Sequence, residues 1–97
     1  MKLTLEDISA KMLSYDLPPY MVAGMVNYLV KHLEPGSFMR SLLENDLYAA
    51  VDRADPENRV RLRTWTAFVK RHLPEEARGS KKAVRLWLEN KPKKEEA

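Results

Sequence analysis

A chain of 97 residues, 44% hydrophobic and 32% charged, carries enough apolar surface for one small core and too much for a disordered segment. It has no cysteine, which excludes disulfides, thiolate nucleophiles and cysteine-based zinc sites. The net charge of +3 is unevenly spread: residues 1–58 hold five Lys/Arg against nine Asp/Glu, and residues 59–94 hold twelve against three. Such halves either attract each other within the fold or guide the basic half onto an anionic partner.

The opening Met1–Asp7 turns acidic before an export-signal core forms. The longest apolar run, Met21–Val26, falls far short of the ~20 residues of a spanning helix. A cytoplasmic protein without membrane association is expected.

Thr4 before Leu5-Glu6-Asp7 predicts a capped first helix from Leu5, with Leu5, Ile8 and Met12 as its apolar stripe. Asp16-Leu17-Pro18-Pro19 ends it, because a residue before proline is driven out of the helical region. A second helix is expected from Pro19 to about Leu33, its wide apolar face formed by Met21, Val22, Met25, Val26, Leu29, Val30 and Leu33. Gly24 within it suggests close approach of another backbone.

Pro35-Gly36 interrupts the chain, and Ser37 is expected to cap a short helix that turns Phe38, Leu42 and Leu43 inward. Asn45-Asp46 predicts the next cap, before a short helix with Leu47, Ala50 and Val51 on its apolar side. Asp55-Pro56-Glu57 predicts the longest helix, from Pro56 to about Leu73, with Leu62, Trp65, Val69, His72 and Leu73 on one face. Ser80 then caps a last helix bearing Val84, Trp87 and Leu88. Lys91 to Ala97 has no apolar anchor and is expected to be a mobile charged tail. No stretch alternates as a strand does, so the fold expected is all-α: an irregular bundle of five or six helices over residues 1–90.

Pro18-Pro19-Tyr20-Met21, Gly24, Tyr28-Leu29, Pro35-Gly36-Ser37-Phe38, Leu43, Asn45-Asp46-Leu47, Arg53-Ala54-Asp55, Asn58 and Gly79-Ser80 together form a pattern. With it, the chain resembles a group of small uncharacterised proteins encoded by tailed bacteriophages and prophages, over roughly residues 17–88. The resemblance implies a viral or prophage origin and a role inside the host cell, and it implies no activity. Where that group follows Gly-Ser with proline and an acidic residue, this chain has Lys81-Lys82.

No constellation predicts catalysis. His32 and His72 stand in no metal-binding spacing, and a histidine in the last turn of a helix is already favoured by the helix dipole. Ser37 and Ser41 lie near His32 in sequence, without the glycines of a nucleophile elbow. Asp46, Asp52, Asp55 and Glu57 cluster in sequence but lack the spacing of a calcium loop, and capping accounts for Asp46 and Asp55. No catalytic residue, metal or cofactor is therefore expected.

The basic residues are the remaining candidates. On one continuous helix Arg59, Arg63 and Lys70 would fall within about 40° of one another, and Lys81, Lys82 and Arg85 add charge to the last helix. These six would bind phosphates or another anionic partner in a salt-sensitive manner. The plain alternative is a solvated face balanced by the acidic first half. The reading favoured from sequence is a non-enzymatic phage accessory protein that binds a host or phage protein and is compatible with a homodimer. A nucleic-acid-binding module using the basic stripe is the alternative.

Overall fold

The computed structural model describes residues 4–91. They form seven α-helices: α1 Leu5–Ser14, α2 Val22–Lys31, α3 Ser37–Leu43, α4 Leu47–Arg53, α5 Pro56–Arg59, α6 Leu62–His72 and α7 Lys81–Glu89. Short 3-10 turns at Pro19–Met21 and Glu75–Ala77 lead into α2 and α7. Among the described residues there is no strand, and the fold is all-α as the patterning requires.

Side-chain caps set four of the helix starts. Thr4 accepts from the Asp7 amide at 3.1 Å, Asp46 from Ala49 at 3.2 Å, Asp55 from Asn58 at 2.9 Å and Ser80 from Ala83 at 3.0 Å. Each satisfies a donor that the helix itself leaves free. Ser37 does not act this way. Gly36 is the cap of α3, its carbonyl receiving the Arg40 amide at 2.8 Å, and Ser37 is the first helical residue.

Three helices close on a left-handed residue that is not glycine: α1 at Asp16, α2 at His32 and α3 at Asn45. Asp16 and Asn45 adopt left-handed conformations with φ of 61° and 64°. After α1 the Leu17 amide returns to the Met12 carbonyl at 3.1 Å and the Asp16 amide to Leu13 at 3.0 Å. After α3 the Asp46 amide returns to Ser41 at 2.9 Å and the Asn45 amide to Leu42 at 3.1 Å. Both are Schellman closures, which turn the chain sharply while satisfying the last carbonyls.

The long helix expected from Pro56 is broken, so the described residues contain more helices than five or six. Residues Val60 and Arg61 interrupt it, and the Arg61 amide bonds only three residues back, to Asn58, at 3.0 Å. The Glu57 carbonyl, which an unbroken helix would pair with that amide, instead receives the Arg61 guanidinium at 2.9 Å. The cause is tertiary. Asn58 is 2% exposed, with its side-chain oxygen accepting the Trp65 indole N–H at 2.8 Å, and Arg61 reaches the Asp16 carbonyl at 2.9 Å.

α1 packs on α2 and α3 on α4. Between them Tyr28, Met12, Met25, Met39, Leu43, Phe68 and Val84 join Trp65 in a single core. Ile8 and Met12 point inward as expected, whereas the Leu5 side chain lies outside what is described. Trp65 meets Phe38 and Phe68 edge-on at centroid distances of 5.9 and 6.3 Å, the geometry favoured by ring quadrupoles. Burying a side chain the size of Phe68 or Met39 is worth about 1.5–3 kcal/mol, so these residues dominate the stability.

Several expected inward positions are not covered. Val30 and Leu33 of the α2 region are exposed, and Tyr28 takes their place in the core. Leu47 and Val51 of α4 are also exposed, leaving Ala50 as the buried residue of that helix. No backbone approaches Gly24 closely: an added Cβ would meet only the Met39 methyl, at 3.9 Å. The expected tail falls outside the described residues from 92 onward, while Lys91 donates to the His32 carbonyl at 2.8 Å.

Candidate interaction surface

The break between α5 and α6 divides the basic stripe. Arg59 belongs to α5 and donates to the Ala54 carbonyl at 2.9 Å. Arg63 and Lys70 remain on α6, seven residues and about 20° apart on its surface. Neither makes an ion pair among the described residues.

On α7 the three basic residues differ. Lys81 bridges Glu44 at 3.1 Å and Asp46 at 3.5 Å, so its charge is matched by the acidic half. Burial alone would raise the Glu44 carboxyl, yet the hydrogen bonds from Arg40 and Lys81 outweigh it and hold the group below its ordinary value. Arg85 lies 3.9 Å from Glu89 one turn on. Lys82 makes no such pair among the described residues and lines a different depression, beside Pro74 and Trp87.

The acidic residues singled out in the sequence serve the architecture. Asp46 and Asp55 are caps, and Asp55 also accepts the Tyr20 hydroxyl at 2.6 Å. That hydrogen bond, followed by burial and the neighbouring charge, pushes the Tyr20 phenol up to about 12. Among the described residues no three His, Asp or Glu side chains converge in a way that could hold a metal ion.

The histidines and serines are likewise engaged. His32 lies beyond the last turn of α2, in a left-handed conformation with φ 56°, and its Nδ1 pairs with the Trp87 carbonyl at 2.6 Å. His72 is in the last turn of α6 with Nε2 3.0 Å from the Tyr15 hydroxyl. The Ser41 hydroxyl donates to the Ser37 carbonyl at 3.0 Å and accepts from Arg53 at 2.6 Å.

The apolar surface of α4 stands apart from these satisfied groups. Leu47 is 58% exposed, Tyr48 86% and Val51 37%. Leu47 lies between two depressions: one of about 460 Å³ that it shares with Tyr48 and Lys81, and a narrow one of about 40 Å³ shared with Leu62 and Thr66. The narrow one adjoins a third, of about 340 Å³, whose floor includes Leu42 and Val69 and whose rim carries Thr66, Lys70 and Arg78. Sequence patterning assigned Leu47, Ala50 and Val51 to the core, of which only Ala50 lies there, and did not single out Tyr48.

Set against protein-family models, curated proteins and solved structures, the chain matches none. No described helix is long and apolar enough to cross a membrane.

Proposed function

We propose that the protein acts without catalysis, by binding another protein through the exposed face of α4. The observation that carries this reading is the solvent exposure of Leu47, Tyr48 and Val51 on one two-turn helix. Grouped exposed apolar and aromatic side chains are a feature of protein interfaces, where tyrosine is a frequent anchor. From the resemblance to small phage and prophage proteins, the partner expected is a host or phage protein in the host cytoplasm. The lack of cysteine agrees with that compartment.

Affinity capture from host lysate with the wild-type protein and with Tyr48→Asp tests the proposal. A partner retained by the wild type and lost with the variant is the expected result. Capture that is indifferent to the substitution, or no specific partner at all, would reject it.

Nucleic-acid binding is the second reading, favoured by the lack of carboxylate partners at Arg63, Lys70 and Lys82 among the described residues. Anisotropy titration of labelled duplex DNA at low salt separates the two. Micromolar or tighter binding that weakens steeply with salt would favour the second reading.

A further inference from the structure

Resting on the protein-binding reading, we infer that the groove between α4 and α6 takes an acidic segment of the partner, seating an apolar side chain beside Leu47 and carboxylates along Lys70 and Arg78. The two depressions on either side of Thr66 share Leu42, Asn45 and Thr66, so they form one trough. On α6 its lining runs from Leu62 through Thr66 to Lys70, a rise of about 12 Å at 1.5 Å per residue. Opposite α6, Leu47 and Ala50 of α4 line the narrow part, while Leu42, Leu43 and Asn45 line the wider part that Lys70 and Arg78 border.

The two ends differ in charge balance. On the α4 side Asp46 is held by its capping bond to the Ala49 amide and by Lys81, which it shares with Glu44. On the α6 side Lys70 has no carboxylate partner among the described residues. Arg78 donates through Nε to the Leu73 carbonyl at 3.3 Å and through Nη2 to the Lys70 carbonyl at 3.2 Å. Those bonds fix the guanidinium in place but leave its charge unmatched. Arg63 continues the positive edge on the same face of α6. A trough with an apolar end at Leu47 and an uncompensated basic end at Lys70 and Arg78 complements a segment carrying both an apolar anchor and carboxylates. A phosphate backbone would satisfy only the basic end and would leave Leu47 without an apolar partner.

The probe is a display library of random twelve-residue peptides panned against the full chain, with enriched peptides resynthesised bearing fluorescein and titrated by anisotropy. Enriched sequences are expected to combine Leu, Phe or Trp with several Asp or Glu. Lys70→Glu and Leu47→Asp should each weaken them by about tenfold or more, with circular dichroism unchanged, and Lys31→Glu on α2 should leave them unaffected. Enriched peptides without acidic residues, or binding indifferent to both groove variants, would overturn this assignment while leaving the protein-binding reading intact. Failure to enrich any peptide would also overturn it. Two further results would assign the groove to another occupant and so reject the proposal: duplex DNA binding that Lys70→Glu abolishes, or a dimer in sedimentation that Leu47→Asp dissociates. Lysate capture unaffected by Tyr48→Asp would instead reject the underlying reading.

Discussion

The imidazole of His32 stacks on the indole of Trp87 with ring centroids 4.1 Å apart and planes inclined by 13°. The same pair exchanges polar contacts between two helix ends. Because a carbonyl can only accept, His32 Nδ1 carries the proton and donates to the Trp87 carbonyl at 2.6 Å. Trp87 Nε1 in turn donates to the Tyr28 carbonyl at 2.8 Å, and the Tyr28 hydroxyl donates to the Ala77 carbonyl at 2.6 Å. The Trp87 carbonyl in the last turn of α7 thus receives His32, and the Tyr28 carbonyl accepts the Trp87 indole beside the His32 amide at 3.2 Å, which ties the last helix to the second.

His32→Ala removes both the stack and the hydrogen bond while retaining a Cβ in the left-handed region. The expected loss is about 1–3 kcal/mol, measured by urea denaturation. His32→Gly should recover about 1 kcal/mol of it, since glycine adopts a positive φ without steric cost. Equal stability of the two variants would show that the left-handed turn is not strained.

Asn58 and Trp65 form a second internal lock. Asn58→Ala leaves the fully buried indole N–H without its acceptor, with an expected cost of about 1–3 kcal/mol and a shift in tryptophan emission. A urea midpoint equal to that of wild type would refute the role assigned to Asn58.

Gly24 is the opposite case. It lies inside α2 with φ in the ordinary negative range, and an added Cβ meets only the Met39 methyl in normal van der Waals contact. Gly24→Ala is therefore expected to stabilise the protein by about 0.5–1 kcal/mol, through helix propensity and a less flexible unfolded chain. Thermal denaturation giving a lower midpoint would mean that close packing at Gly24 matters after all.

His72 gives a pH dependence. Burial, then the charges of Lys11 and Arg71, hold its imidazole below the ordinary value, so the native state favours the neutral form. The unfolded chain takes up the proton first as pH falls through about 6.5, and stability should decline from there toward the folded value. His72→Gln should flatten this decline in melting temperatures recorded between pH 7.5 and 5.5. A slope identical in both proteins would assign it to other groups.

Asp55 couples a helix cap to a surface tyrosine. Asp55→Ala should lower the urea midpoint by removing the α5 cap, and the Tyr20 phenol should titrate closer to 10 than to about 12. Ultraviolet titration of the variant, compared with a Tyr20→Phe control, reads the second effect directly. An unchanged Tyr20 titration would show that the hydrogen bond does not set it.

By itself the sequence determined the all-α class and where most helices begin. Thr4, Asp46, Asp55 and Ser80 act on amides only three residues away, so local chemistry suffices for each. It also marked Val84 and Trp65 as core residues, because helical periodicity groups the side chains that share a face. Only the tertiary structure decided which faces are covered. The period of α4 groups Leu47 and Val51, yet nothing in seven residues states whether another helix lies over them. The break at Val60 and Arg61 was equally hidden: no glycine or proline marks it, and its cause is Asn58 bonding to Trp65 and Arg61 reaching back 45 residues to Asp16. That break separates Arg59 from Arg63 and Lys70, and the way α3, α4 and α6 meet puts Leu47 at one end of a trough that has Lys70 and Arg78 at the other. A single helix has a fixed spacing of side chains, but the groove depends on how separate helices meet, which long-range contacts alone determine.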